Sequence, residues 1–104
     1  MSTLERLEQT IAARRAASPD DSYVAKLNAK GVPKIAQKVG EEATETVIAA
    51  LSGSEQDLVG ESADLLFHLI VLLNAKGVPF DAVLDELSAR EGLSGLDEKA
   101  SRSE

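Results

Sequence analysis

Apolar residues recur at intervals of three and four along most of the chain, which is the spacing of one helix face. The recurrence is interrupted at Ser18-Pro19, Gly31-Val32-Pro33, Ser52-Gly53-Ser54 and Gly77-Val78-Pro79. Between these interruptions the pattern predicts helices over about 3–17, 22–30, 33–51, 55–76 and 79–90. We therefore expect an all-α fold, with residues 1–96 as a single domain and residues 97–104 as a frayed carboxyl-terminal tail.

The interruptions carry recognisable helix-ending and helix-starting residues. The string Leu-Asn-Ala-Lys-Gly-Val-Pro occurs at 27–33 and again at 73–79. Each copy offers a glycine able to adopt a positive φ and a proline suited to the first turn of the next helix. The flanking sequences do not match, so the repetition indicates a shared way of ending a helix rather than a duplicated unit. Ser54 and Asp57 have the spacing of a capping box.

Residues 65–73 are apolar nearly all round the predicted helix, with His68 as the exception. A helix of that kind has to be enclosed on every side, and a chain of 104 residues hardly supplies enough neighbours. We therefore expect helical hairpins that form a four-helix-bundle-like core, completed by dimerisation into a homodimer. The run is too short to span a bilayer, so no membrane segment is expected.

Composition and charge restrict the expected cellular location and the expected ligands. The chain has no cysteine, and its first residues lack the layout of a signal peptide, so a cytoplasmic location is expected. Its net charge of −7 is unevenly spread, with a balance of +3 over residues 1–40 and −10 over residues 41–104. Such an acidic chain argues against nucleic-acid binding, which requires a basic face.

The acidic residues are crowded at helical spacing. Glu41, Glu42 and Glu45 share one face of the third predicted helix, and Glu61 and Asp64 share a face of the fourth. Like charges at these spacings oppose folding by a few tenths of a kcal/mol per pair, about the reverse of a favourable pair. Facing one another, they would offer only oxygen ligands, which suit Mg²⁺ or Mn²⁺. The alternative is an ordinary solvated acidic face.

A cationic stretch leads directly into this acidic cluster, and an anionic ligand that carries a metal would suit both. It contains four lysines, Lys26, Lys30, Lys34 and Lys38. These lysines are either phosphate contacts or solvated charges. Tyr23 and Arg90 are candidates for contact with a base or ribose, with core packing and a helix-end charge as the alternatives. His68 is expected to be a core histidine, or one that supports the site, rather than a metal ligand.

Two strings resemble a known family. Residues 34–45, KIAQKVGEEATE, and residues 61–73, ESADLLFHLIVLL, closely resemble the phosphoribosyl-ATP pyrophosphohydrolases, the second enzymes of histidine biosynthesis. The resemblance extends to SYVAKL at residues 22–27 and so covers most of the chain. The two-part pattern of Glu-x-x-Glu followed by Glu-x-x-Asp also marks the wider all-α, MazG-like nucleoside triphosphate pyrophosphatases.

The resemblance implies hydrolysis of phosphoribosyl-ATP to phosphoribosyl-AMP and pyrophosphate, with Mg²⁺ assistance and attack of water on the α–β phosphoanhydride. Carried over by position, the metal ligands would be Glu42, Glu45, Glu61 and Asp64. Glu41 would be a further ligand or the base that orients water. Association with the next enzyme of the pathway would also be consistent. The alternatives are a house-cleaning pyrophosphatase acting on aberrant nucleoside triphosphates and a non-catalytic helical dimer.

Overall fold

The computed structural model describes residues 1–92 and contains five α-helices, with no strand among these residues. The helices are α1 (Thr3–Arg14), α2 (Tyr23–Lys30), α3 (Val32–Ser52), α4 (Glu55–Ala75) and α5 (Phe80–Ala89). The all-α prediction is confirmed, and four of the five helices end within about two residues of their predicted bounds. The tail predicted for residues 97–104 lies outside the described residues, as do the last residues of the predicted domain.

The predicted end of the first helix at residue 17 was wrong. α1 ends at Arg14, and the chain tightens into a turn in which the amide of Ala17 donates to the carbonyl of Arg14 at 3.0 Å. Pro19 limits how far the helix could continue, because a proline disfavours helical conformation in the residue before it, here Ser18. Residues 15–22 therefore form the connection between α1 and α2.

Serine side chains cap the N-termini of three of the helices. The hydroxyls of Ser2, Ser22 and Ser54 accept hydrogen bonds from amides in the first turns of α1, α2 and α4. The side chain of Asp57 also accepts from the amide of Ser54 at 3.0 Å, which confirms the predicted capping box. Each cap satisfies an amide that has no partner within its own helix.

Gly31 connects α2 directly to α3. It follows the last residue of α2 and serves as the N-cap of α3, with a φ of 95° that other residues rarely adopt. Gly77, in the second copy of the repeated string, has a φ of 72°. Both copies therefore end a helix in the way the sequence predicted.

α3 and α4 pack as an antiparallel hairpin, which makes the most extensive helix contact in the fold, with α1 against α4 and α2 against α3. The buried core lies where the start of α3 meets the end of α4. It consists of Ile11, Val24, Leu27, Ile35, Ile70, Val71 and Phe80. This packing leaves the other end of the hairpin open, and that end carries the acidic residues.

The apolar stretch of α4 is only partly enclosed by one chain. Ile70 and Val71 are buried, whereas Leu66 is 43% exposed. With 21 residues, α4 as a whole is long and apolar enough to cross a membrane, although the short run within it is not. Only 17% of its most apolar stretch is buried within the chain. α4 also carries Glu61 and Asp64, and its length and composition alone do not assign a membrane span.

Candidate active site

Three carboxylates converge between α3 and α4. Glu42 and Glu45 lie three residues apart on one face of α3, and the antiparallel hairpin brings Glu61 of α4 opposite them. One ligand oxygen from each residue lies within 4.8 Å of the other two. Three oxygens at that separation can surround a single cation.

Thr46 joins the two helices at the same level. Its hydroxyl lies 2.8 Å from the carbonyl of Glu42, one turn earlier on α3, and 3.2 Å from the carbonyl of Glu61 on α4. The single hydroxyl proton is therefore shared between the backbones that carry two of the three carboxylates. This contact could not be predicted from the sequence, because a threonine one turn after a glutamate indicates nothing about the partner helix.

The carboxylates are held in surroundings that disfavour their charged forms. Glu42 is 7% exposed, and burial raises its pKa above the ordinary value, as does the nearby carboxylate of Glu45. Burial and Glu45 raise the pKa of Glu61 in the same way. Glu45 thus acts on both neighbours, and the three residues form one electrostatic unit.

Two carboxylate oxygens in this unit are buried without a hydrogen-bond donor. Oε2 of Glu42 and Oε2 of Glu61 have no partner among the described residues. A buried acceptor without a donor costs roughly 1–3 kcal/mol, so such atoms normally have a function or a missing partner. The residues present therefore fit a hard divalent cation, which supplies the positive charge that these oxygens lack.

Asp64 lies beside the three-carboxylate cluster rather than within it. Its side chain is exposed and is not among the three whose oxygens converge. It is nevertheless close, because its charge contributes to the raised pKa values of Glu42 and Glu61. An aspartate side chain is one methylene shorter than a glutamate, which limits its reach. Of the four predicted ligands, the structure brings three together and keeps the fourth adjacent.

Glu41 faces donors from its own helix. Its Oε2 accepts a hydrogen bond from Nε2 of Gln37 at 2.9 Å, and its Oε1 lies 3.3 Å from Nζ of Lys38. The Gln37 hydrogen bond, followed by that of Lys38, lowers the pKa of Glu41. Glu41 is therefore an exposed, ionised carboxylate at the edge of the cluster.

Lys38 links Glu41 to the cluster. Its Nζ lies 3.8 Å from Oε1 of Glu42 as well as close to Glu41, and the Glu41 hydrogen bond raises its pKa. Lys34, one turn earlier on α3, is half-buried, and its charge also helps lower the pKa of Glu41. Lys26 and Lys30 are exposed on α2. The predicted cationic stretch thus divides into an inner pair on α3 and an outer pair on α2.

Tyr23 and His68 form a hydrogen-bonded pair that the sequence did not reveal. The phenol oxygen of Tyr23 lies 2.7 Å from Nε2 of His68, and Nδ1 of His68 lies 2.7 Å from the carbonyl oxygen of Asp64. His68 is 5% exposed, which agrees with the expectation of a core or supporting histidine. The two residues are 45 positions apart, so only the packing of α2 against the hairpin could show the contact.

Arg90 lies at the end of α5, not on the helices that carry the carboxylate cluster. It follows α5, and its Nε lies 3.1 Å from Oε1 of Glu86. It lines a cavity with Val78, Leu87 and other residues of that region, and none of the clustered carboxylates lines the same cavity. A different, open cleft of about 260 Å³ adjoins the cluster and is lined by Glu45, Glu61 and Asp57 among others.

Comparison with known proteins gives a consistent result. The sequence model of the family described as phosphoribosyl-ATP pyrophosphohydrolase matches residues 4–91. A phosphoribosyl-ATP pyrophosphatase of Erythrobacter litoralis is 74% identical over 102 residues, which cover 98% of each chain. Proteins of the same description from Novosphingobium aromaticivorans and Rhizorhabdus wittichii are 71% and 68% identical over 100 residues, covering 96% of this chain and 94% of each relative.

Proposed function

The chain belongs to the phosphoribosyl-ATP pyrophosphohydrolase family, and we propose that it hydrolyses phosphoribosyl-ATP to phosphoribosyl-AMP and pyrophosphate in histidine biosynthesis. The observation that carries the proposal is the convergence of Glu42, Glu45 and Glu61, with two buried oxygens that lack donors. A solvated acidic face would not bury such oxygens. The cluster instead suits a reaction in which a polyphosphate arrives together with a cation.

Glu42, Glu45 and Glu61 would hold the cation, with Asp64 as the adjacent fourth carboxylate. All of these ligands are hard oxygens, which favours Mg²⁺, with Mn²⁺ as a substitute. When bound, the cation neutralises phosphate charge and stabilises the leaving pyrophosphate. It also relieves the repulsion that raises the pKa values of Glu42 and Glu61.

The chain's own residues have distinct roles in the proposed reaction. Lys34 and Lys38 bind phosphate oxygens at the edge of the cluster, and Lys26 and Lys30 extend the positive field along α2. Glu41 orients the attacking water and accepts its proton, for which an ionised, accessible carboxylate is required. Water bonds to the α-phosphorus, the bond from that phosphorus to the bridging oxygen breaks, and the electron pair leaves with pyrophosphate.

A homodimer completes the proposal. Exposed apolar side chains form a stripe on the end of α3 and a second one on α4, which one chain leaves uncovered. They are Val47, Ile48, Leu51, Val59 and Leu66. A second copy packing its own hairpin against them would cover both stripes in a four-helix arrangement. We place the enzyme in the cytoplasm, and association with the next enzyme of the pathway stays a prediction.

Pyrophosphate release from a panel of nucleotides tests the proposed function. We expect rapid, Mg²⁺-dependent release from phosphoribosyl-ATP and slow release from ATP and the deoxynucleoside triphosphates. Comparable or faster release from an aberrant deoxynucleotide would assign the chain to house-cleaning instead. Absence of release from every nucleotide would contradict the proposal altogether.

A further inference from the structure

Tyr23 is linked through His68 to the backbone of Asp64, beside the carboxylate cluster. Its ring stacks on Phe67, with centroids 6.1 Å apart and planes inclined by 22°, while the residue remains 46% exposed. The charges of Lys38, Glu42, Asp64 and Glu41 are close enough to act on its phenol. A half-exposed tyrosine near both the inner lysine and the acidic residues is placed to contact whatever binds there.

The hydrogen bonds fix which way the Tyr23 hydroxyl points. A carbonyl oxygen cannot donate, so the contact with the Asp64 carbonyl requires a proton on Nδ1 of His68. In the tautomer with its single proton on Nδ1, Nε2 of His68 is an acceptor, and the Tyr23 hydroxyl donates its only proton to it. The phenol oxygen is left with lone pairs alone, and it can only accept from a ligand.

An acceptor at this place discriminates between the two parts of a nucleotide. Ionised phosphate oxygens are acceptors themselves and gain nothing from Tyr23, whereas sugar hydroxyls and base N–H groups are donors. We propose that Tyr23 is a specificity-determining residue that accepts a hydrogen bond from the nucleoside part of the substrate, and that His68 is the positioning residue that keeps Tyr23 an acceptor. This inference rests on the proposed nucleotide substrate, and it assigns a direction and a ligand group to the Tyr23 contact.

A purely structural role for the pair makes different predictions, which Tyr23→Phe can separate. The substitution keeps the ring that stacks on Phe67 and removes only the hydroxyl. The test measures equilibrium binding of AMP and, separately, of pyrophosphate, by calorimetry with saturating Mg²⁺. AMP carries sugar and base donors, whereas pyrophosphate presents acceptors to the lysines and the cation.

We expect Tyr23→Phe to weaken AMP binding about three- to tenfold, the range of one hydrogen bond, and to leave pyrophosphate binding unchanged. The KM for phosphoribosyl-ATP should rise by a similar factor with kcat near that of the parent protein. Equal weakening of both ligands would show a structural role, and weakening of pyrophosphate alone would show a phosphate contact. Each of these two results would overturn the inference. Unchanged AMP binding in Tyr23→Phe would also overturn it, and so would a parent protein that binds pyrophosphate but not AMP.

The donor group and the role of His68 need two further comparisons. If the effect of Tyr23→Phe disappears with 2′-deoxy-AMP or 3′-deoxy-AMP, the donor is the missing sugar hydroxyl; if it persists with both, the donor lies on the base. His68→Leu frees the Tyr23 proton and should weaken AMP binding as Tyr23→Phe does. His68→Gln, whose amide oxygen can still accept that proton, should restore most of the affinity. Failure of the parent to release pyrophosphate would sink the proposed reaction, but these binding ratios would still decide the role of Tyr23.

Discussion

The carboxylate of Glu8, on α1, accepts a hydrogen bond from the backbone amide of Phe80 at 2.7 Å, across 72 positions of sequence. Phe80 is the first residue of α5, whose N-cap position is occupied by Pro79 and has no side-chain cap of its own. Glu8 therefore caps a helix to which it does not belong. The charge also lies at the positive end of the α5 dipole, which strengthens the contact.

Removal of this contact should destabilise the fold without affecting turnover. We expect Glu8→Ala to lower the free energy of unfolding in urea by about 1–2 kcal/mol, the range for helix caps and charged hydrogen bonds. Glu8→Gln retains an acceptor without the charge and should lose less. Pyrophosphate release by either variant should match the parent, since the cluster lies on α3 and α4. A Glu8→Ala protein as stable as the parent would show that the cap contributes nothing.

Neutralising one clustered carboxylate should act oppositely on activity and on metal-free stability. We expect Glu45→Gln or Asp64→Asn to reduce pyrophosphate release by more than about a hundredfold, since even the outer partners of metal ligands contribute about 10–100-fold. Each variant should be at least as stable as the parent without metal, because it carries less repulsion. Mg²⁺ should raise the melting temperature of the parent more than that of either variant.

Asp85→Asn, which removes an exposed carboxylate from α5, is the matched control and should leave turnover and the Mg²⁺ effect unchanged. Near-normal turnover in Glu45→Gln would indicate that the cluster is only a solvated face. A variant that loses activity and also unfolds without metal would instead indicate carboxylates stabilised by protein donors.

The raised pKa values predict how metal-free stability depends on pH. Between the ordinary value of 4.5 and the raised pKa values of Glu42 and Glu61, the folded protein binds more protons than the unfolded chain. Stability should therefore increase as pH falls through the raised values toward 4.5, and decrease as pH rises again. The lowered pKa of Glu41 acts in the opposite sense, but its contribution is lost only as pH falls below that window.

Urea unfolding at a series of pH values, without divalent cations, measures this dependence. The acidic chain as a whole produces some of the same trend, so the parent is compared with Glu45→Gln, which removes the shared neighbour of Glu42 and Glu61. A smaller slope in the variant is expected. Identical slopes would assign the pH dependence to overall charge and not to the cluster.

The inner lysines should contribute to substrate affinity much more than to stability. Replacing Lys34 and Lys38 together by Met keeps much of the aliphatic bulk and removes two charges. We expect the KM for phosphoribosyl-ATP to rise at least about tenfold, while the free energy of unfolding changes by less than about 1 kcal/mol. Lys76→Met, at the distant end of α4, is the control. Parent-like affinity in the double variant would make these lysines solvated neighbours of Glu41.

The uncovered apolar stripes predict a dimer in solution. Sedimentation at micromolar concentration should give a stable dimer, and Leu51→Lys should shift it toward monomer, because Leu51 is 82% exposed and is the most exposed residue of the α3 stripe. Leu87→Lys, on exposed α5, provides a comparison at a different surface. A compact and stable parent monomer would defeat the prediction.

The features that could be predicted from the sequence are those that depend on near neighbours along the chain. Helix ends at Gly31 and Gly77 and the box at Ser54 follow from residues within one turn, and so does the pairing of Glu42 with Glu45. The cap from Glu8 to Phe80 could not be foreseen, since it requires two helices to meet at a defined depth.

The predicted and observed sites also differ because contacts between helices cannot be read from spacing along one helix. Helical spacing puts Asp64 on the same face as Glu61, but spacing says nothing about reach, and the shorter side chain lies outside the convergent set. The Tyr23–His68 pair and the shared proton of Thr46 both join separate helices. Contacts between elements decide these details, and the order of residues within one element does not.

The direct connection of α2 to α3 at Gly31 makes the site sensitive to a change in chain length. Because this one residue connects α2 to α3, there is no loop to absorb an insertion, unlike most helix connections. One extra residue within α2 or α3 near this joint would turn the side chains beyond it by about 100° about the helix axis. Tyr23 would then point away from the face that carries Glu42. We expect chain length between these two residues to be as restrictive for function as the identity of either one.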